Sequence, residues 1–292
     1  MIGEFVSQVG GDNINLTVLM PPEADPHTYD PAPQDAGKIA DADLVFYTGL
    51  KYEPAALIKL LENSACGAEV LAEVGENVYP IEFKEGGHDD HDDHGEEGHD
   101  DEEGHDDHDD HAGHDHGVYD PHFWFDPNRV AYAAEYIESK LTEFDPSNAA
   151  DYGTSADDFV SELNDLSRRV SEMISSVPSQ NRKLITTHES LGYLEAKYGL
   201  EILSTIIPSL TSANEISPAQ LVDVIDVIED NNIKVIFIEA EAPSVYAKTI
   251  VAETNIKAVT GLWVETLKEN QSYADFIISN VELITESLKD TD

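Results

Sequence analysis

Apolar positions recur along this chain with two different periods, and the two alternate segment by segment. Residues 14–20 (INLTVLM) alternate apolar with polar and read as a strand that stops at Pro21-Pro22. Residues 43–48 form a buried-type strand closed by Gly49, and 68–71 a weaker one; helical spacing runs over 33–41 and 53–63. After a long polar interruption, Asp126-Pro127-Asn128 opens a helix to about Phe144, with Asp126 as N-cap and Pro127 at the first helical position. A longer helix is predicted over 148–177, where Phe159, Leu163, Leu166, Val170, Ile174 and Val177 recur at three- and four-residue spacing and Pro178 ends the run. At about 1.5 Å per residue it is long enough to cross a whole lobe or to join two.

The alternation then resumes. Strands are predicted at 183–187, 201–207, 234–238 and 257–260, with helices at 190–198, 218–230, 243–254 and 272–288. The run at 234–238 (KVIFI) is the clearest candidate for a parallel strand buried on both faces. Strand–helix alternation in both halves predicts an α/β protein of two parallel-sheet lobes joined by one long rigid helix. The expected boundaries are 1–146 for the N-terminal lobe, 147–178 for the linking helix and 179–292 for the C-terminal lobe, each lobe with a core of its own. Sites in such lobes gather at the carboxyl ends of the strands, facing the cleft.

Charge narrows the partners. The chain of 292 residues carries 60 acidic and 16 basic residues, a net charge of -44. The interruption at about 85–117 holds 16 acids, nine histidines and no Lys or Arg, and lacks the apolar residues to form a core, so a flexible loop is expected there. Removing it still leaves 44 acids against 16 bases. Nucleic acid is excluded as a partner, because binding phosphate needs basic surface, whereas a cation would be drawn in. Adaptation of the surface to high salt is the alternative explanation of the global charge. No apolar run approaches the roughly 20 residues that would span a membrane. The single cysteine, Cys66, permits no intrachain disulfide and no Cys-based zinc site, and reads as a small buried hydrophobe.

Histidine carries the chemistry. Nine of the twelve lie in the acidic tract. The other three stand alone: His27 in Asp25-Pro26-His27-Thr28-Tyr29, His122 in Asp120-Pro121-His122-Phe123-Trp124-Phe125-Asp126-Pro127, and His188 in Thr187-His188-Glu189-Ser190. A single isolated histidine is more often a structural hydrogen-bonder than a ligand. All three fall in predicted loops leading toward helices, which favours one shared metal site.

At these residues the chain resembles the zinc-binding solute receptors of zinc/manganese ABC importers. Segments 19–31, 40–50, 120–127, 187–194 and 237–240 carry the resemblance, and a His-rich acidic loop before the second histidine is typical of the zinc branch. The resemblance implies two α/β lobes with metal between them, and His27, His122 and His188 as its ligands. It also implies an extracytoplasmic, monomeric protein that is no enzyme, takes Zn2+ as transported cargo and delivers it to a membrane permease. Receptors of the manganese branch usually have Glu at the third position, where this chain has His188. Family members often carry Asp in the loop after the last C-lobe strand; here that loop reads Thr260-Gly261-Leu262-Trp263-Val264-Glu265, so Glu265 or water completes the site. Members also carry an export signal, then a strand and a helix before the Gly10-Gly11-Asp12 segment, so an early-truncated or mis-started chain and an exported natural protein are expected.

Each ligand histidine needs its other ring nitrogen fixed, and Glu239, Asp120 and Glu189 are the nearby candidates. Ligands drawn from both lobes predict a modest closure or stiffening on binding. The His tract is expected to collect metal at weak, interchangeable sites, unless it is a tolerated solvated insertion. Three rivals remain on sequence grounds: a zinc hydrolase, for which no HExxH-type motif is present; a metal buffer or adhesin without a transporter; and a manganese receptor.

Overall fold

Proline or a short polar cap sets the starts of the helices at Pro33, Pro127, Pro218 and Tyr273, and period-3.6 apolar stripes decide which face is buried. The structure, a computed structural model, describes residues 1–83, 119–211, 215–241 and 245–289. The His-rich tract expected at 85–117 lies outside the described residues. In the N-terminal half, α1 (Ile2–Gly10) buries Phe5, Val6 and Val9. It is followed by α2 (Pro33–Ala40), β1 (Val45–Tyr47), α3 (Ala55–Ser64) and β2 (Leu71–Glu73). β1 and β2 pair in parallel, Val45 with Leu71 through Tyr47 with Glu73.

α4 (Pro127–Phe144) starts where the sequence places it, and the Asp126 carboxylate accepts the Asn128 N–H. It packs along α5 (Ala149–Ser175), whose 27 residues extend about 40 Å. The buried residues of α5 are Tyr152, Ala156, Phe159, Leu163, Leu166, Ser167, Val170 and Ile174, the stripe that the spacing predicts. This stripe meets α1 and α4 from the first half of the chain and two helices from the second, α6 (Gly192–Tyr198) and α9 (Tyr273–Lys289).

The second half contains β3 (Lys183–His188), β4 (Glu201–Ile207), α7 (Pro218–Asp230), β5 (Val235–Glu239), α8 (Tyr246–Thr254) and β6 (Lys257–Leu262). β3 pairs in parallel with β4, and β5 with β6. β3 and β5 lie side by side, bridged where the Glu239 N–H donates to Thr187 Oγ1 at 3.1 Å. The α/β architecture of two lobes about a long helix therefore holds, with short ladders in place of broad sheets.

Three expectations need correction. Residues 14–20 are not a strand. Their alternation suits one, but a strand exists only with a ladder partner, and here the segment runs along the surface with Val18 59% exposed. Cys66 is exposed and donates to the Ala40 carbonyl. The lobes also do not have wholly separate cores. One apolar cluster takes in Phe5, Trp124, Leu163, Tyr193, Phe237 and Phe276, from both halves of the chain. Smaller clusters, around Ile185 and Ile236 and around Ile39 and Leu61, belong to one half each. Aromatic side chains tie the halves across the middle: Tyr273 OH donates to the Trp124 carbonyl at 2.6 Å, and Tyr193 OH to the Asp120 carbonyl at 2.8 Å.

Candidate metal centre

His27, His122 and His188 come from three distant parts of the chain and converge. His27 sits on a single 3-10 turn, Pro26–Thr28, started by Pro26 and capped by Asp25, whose carboxylate accepts the His27 N–H at 3.0 Å. His122 precedes the buried turn Phe123–Phe125. His188 is the last residue of β3, at its carboxyl end. Their ring centroids are 5.3 to 6.2 Å apart. The fourth member is Glu265, from the loop between β6 and α9, and one donor atom from each of the four lies within 4.8 Å of the others.

The donor geometry is that of a cation site. Glu265 Oε1 lies 3.2 Å from His27 Nε2, 3.4 Å from His122 Nε2 and 2.9 Å from His188 Nε2. A tetrahedral zinc ion with bonds of about 2.0–2.1 Å needs ligand atoms about 3.3–3.4 Å apart. The side chains of His122, His188 and Glu265 are sealed from solvent, and that of His27 is 4% exposed. Yet His122 Nε2, His188 Nε2 and Glu265 Oε2 have no hydrogen-bond partner. Buried polar atoms are normally satisfied, so orphaned nitrogens aimed at one carboxylate mark a place for a cation.

The outward ring nitrogens of His122 and His188 are held as a metal site requires. His122 Nδ1 lies 2.8 Å from Asp120 Oδ1, which also accepts the His122 backbone N–H. His188 Nδ1 lies 2.7 Å from Glu239 Oε2, while Glu239 Oε1 accepts the His188 backbone N–H. Both partners were among the sequence candidates. The third, Glu189, instead accepts from Thr205 Oγ1. A one-residue register shift between Ile238 and Glu239 lies just before the Glu239 side chain, the kind of irregularity that re-aims a residue at a site. On the other side, Gly192 lets Asp120 approach α6: a Cβ there would lie 2.7 Å from Asp120 Oδ2.

The loop after β1 covers the centre from the first half of the chain. Gly49, Leu50 and Lys51 all have left-handed backbone, at φ of 77°, 53° and 64°. Glu53 holds the loop through the N–H groups of Thr48 and Gly49, and Glu73 through that of Leu50. A Cβ at Gly49 would fall 1.8 Å from Glu73 Oε1, so only glycine fits. The loop presents Tyr52, whose ring stands edge-on to His27 and Trp124 and whose hydroxyl donates to the Glu265 carbonyl at 3.3 Å. Trp124 Nε1 in turn donates to the Val264 carbonyl at 2.8 Å.

Without a cation, the centre shares protons. Burial works to lower the His122 pKa, but Glu265 and Asp120 outweigh it and raise it to about 9. His188 is likewise raised against its burial, by Glu239 and Glu265. Burial works to raise Glu265, but the imidazoles hold it well below the usual carboxylate range. Nearby Glu241 is pushed up to about 7, chiefly by burial. The sequence leaves the fourth position open between Glu265 and water; the structure brings a Glu265 oxygen to the three imidazoles.

The family described as "Zinc-uptake complex component A periplasmic" matches residues 1–287. A manganese ABC transporter substrate-binding lipoprotein, PsaA of Streptococcus anginosus, is 26% identical over 295 residues, covering 99% of this chain and 86% of that protein. The manganese-binding lipoprotein MntA of Halalkalibacterium halodurans is 21% identical, with the same coverage. Among solved structures, the periplasmic zinc-binding protein TroA of Treponema pallidum superposes with a TM-score of 0.80 at 20% identity, covering 99% of this chain and 96% of that one. Fe(III)-bound YtgA of Chlamydia trachomatis gives 0.79 at 24%, covering 98% and 94%. At these identities the structures establish the fold, while the family match over almost the whole sequence establishes kinship. The chain thus belongs to the zinc-uptake complex component A family of metal-binding solute receptors of ABC importers, which are receptors and not enzymes.

Proposed function

We propose that this chain is an extracytoplasmic, monomeric receptor that captures Zn2+ at His27, His122, His188 and Glu265 and hands it to an ABC permease. The observation that carries the reading is the set of three imidazole nitrogens, two of them buried and orphaned, at 2.9 to 3.4 Å from one carboxylate oxygen. Three neutral imidazoles and one carboxylate suit zinc, a borderline ion content with four ligands. Manganese favours more oxygen and more ligands. No thiolate is involved, so the cargo is not locked into a soft-ligand cage. Residues 1–146 and 179–292 serve as the jaws and 147–178 as the spine. Because aromatic contacts already join the jaws, capture stiffens the centre more than it swings the lobes. The acidic His-rich tract at 85–117 adds weak metal capacity, on the strength of its composition alone.

A manganese reading has specific support. The two lipoprotein relatives described above are named for manganese, and Glu265 Oε2 is buried without a partner, so the carboxylate has a second oxygen to offer a harder ion. Competition titration of metal-free protein against Zn2+ and Mn2+ separates the two. Zinc is expected to bind stoichiometrically and to resist displacement by a large excess of manganese. Stronger retention of manganese, or undiminished zinc binding in His27→Ala, His122→Ala and His188→Ala, would overturn the proposal.

A further inference from the structure

Glu241 lies two residues beyond β5 and contributes no atom to the four-donor cluster. Its carboxylate is nevertheless spent entirely on the loop that carries Glu265. Oε1 accepts the backbone N–H groups of Val264 at 3.1 Å, Glu265 at 3.1 Å and Thr266 at 3.2 Å; Oε2 accepts a second bond from Val264 at 3.2 Å. Three successive amides converging on one anion form a backbone nest.

The loop has other fastenings, and they act elsewhere. Asn280 takes both backbone groups of Trp263, Trp124 takes the Val264 carbonyl, and Tyr52 takes the Glu265 carbonyl. Among the described hydrogen bonds, Glu241 alone grips the Glu265 N–H. Apart from the imidazoles that Oε1 faces, the Glu265 side chain has no described partner: its Oε2 has none, and neither has the adjacent Thr266 Oγ1. The imidazoles draw Oε1 inward, and the backbone fixes the point from which the side chain departs toward them.

We propose that Glu241 is a positioning residue that holds Glu265 at the fourth corner of the metal centre, and so fixes the carboxylate's share of the affinity for a divalent cation. This rests on the four-donor reading of the centre given above. Glu241 keeps the loop wound around its carboxylate, and the winding fixes the point from which Oε1 reaches inward. Without that anchor the Glu265 corner is free to yield to water.

The test is a set of Zn2+ titrations against a chromophoric chelator, on the full chain. The variants are Glu241→Gln, Glu241→Ala, Glu265→Gln, Glu241→Ala/Glu265→Gln and His188→Ala. Loss of a residue that orients a ligand typically costs about 10–100-fold in metal affinity, and that is the fall expected for Glu241→Ala, with a smaller one for Glu241→Gln. In the Glu265→Gln background the same change is expected to cost about twofold or less, because residues acting as one unit are not additive. The Co2+ absorption spectrum of Glu241→Ala is expected to move toward that of Glu265→Gln. An equal loss in both backgrounds, or no loss at all, overturns the proposal. If Glu241→Ala does not fold, Glu241→Gln alone and combined with Glu265→Gln gives the same comparison, since it keeps the shape and one acceptor oxygen. Wild type and His188→Ala separate the two levels. Failure of wild type to bind, or retention by His188→Ala, defeats the four-donor reading. Normal behaviour of both with unaffected Glu241 variants defeats only the role of Glu241.

Discussion

Protons and metal compete for the same nitrogens, so pH is the most direct probe of the centre. His122 has a pKa of about 9 in the cation-free protein, because Glu265 and Asp120 outweigh the effect of its burial. At pH 7 its proton lies about two units below release. Expelling it costs about 3 kcal/mol, roughly 100-fold in affinity, at about 1.4 kcal/mol per unit. That cost fades as pH rises to 9. The apparent zinc association constant is therefore expected to climb about tenfold per pH unit above 7, and more steeply wherever His188 also gives up a proton. Chelator competition between pH 6.5 and 8.5, corrected for the chelator's own protonation, measures the slope. Calorimetry in two buffers of different ionisation enthalpy counts the protons released. Glu265→Gln removes the charge facing His122 Nε2, and its slope is expected to be shallower. An affinity that changes less than twofold over this range, with no proton release, would refute the assignment of His122 and His188 as charged groups displaced by cargo.

The same groups set the stability of the cation-free protein. The raised histidines stabilise the fold fully below about pH 6.5 and lose that effect as pH rises through their folded pKa values, about 9 for His122; Glu265 stabilises it above about pH 4.5 and loses that effect on acidification. Melting temperature is thus expected to be highest between those limits, and to fall toward pH 9 without zinc but not with it. Gly192→Ala places a methyl 2.7 Å from Asp120 Oδ2; zinc titration is expected to show about a 10–100-fold weakening through the displaced His122 partner, with little change in melting. Trp124→Phe strands the buried Val264 carbonyl and is expected to cost about 1–3 kcal/mol in denaturant unfolding. With a net charge of -44, added NaCl is expected to raise the melting temperature by screening carboxylate repulsion.

Where the signal was periodic or chemical, the sequence carried it. The stripe on α5, the Asp126–Pro127 start of α4 and the span of β4 are local features and appear as expected. The three histidines were legible because no other histidine lies outside the acidic tract. Asp120 and Glu239 were legible as partners because they lie near the motifs. What stayed hidden was non-local. Residues 14–20 have the alternation of a strand, but pairing depends on what lies beside them. The sequence offers Glu265 only as an alternative to water, since Glu is by default a surface residue, and the meeting of its loop with Tyr52, Trp124 and Glu241 shows why it is buried. Glu241 has no motif at all; a sequence does not show which amides a carboxylate will collect.

The apolar cluster that runs from Phe5 through Trp124 and Leu163 to Phe276 has a consequence for how the molecule comes apart. Its two halves share their interior, so melting one strips cover from the other, and unfolding is expected as a single cooperative transition. A fragment cut at either end of the spine would inherit an uncovered apolar face and aggregate. The cargo's contribution should then register across the entire molecule, since an ion gripped at the seam strengthens a fold that stands or falls as one.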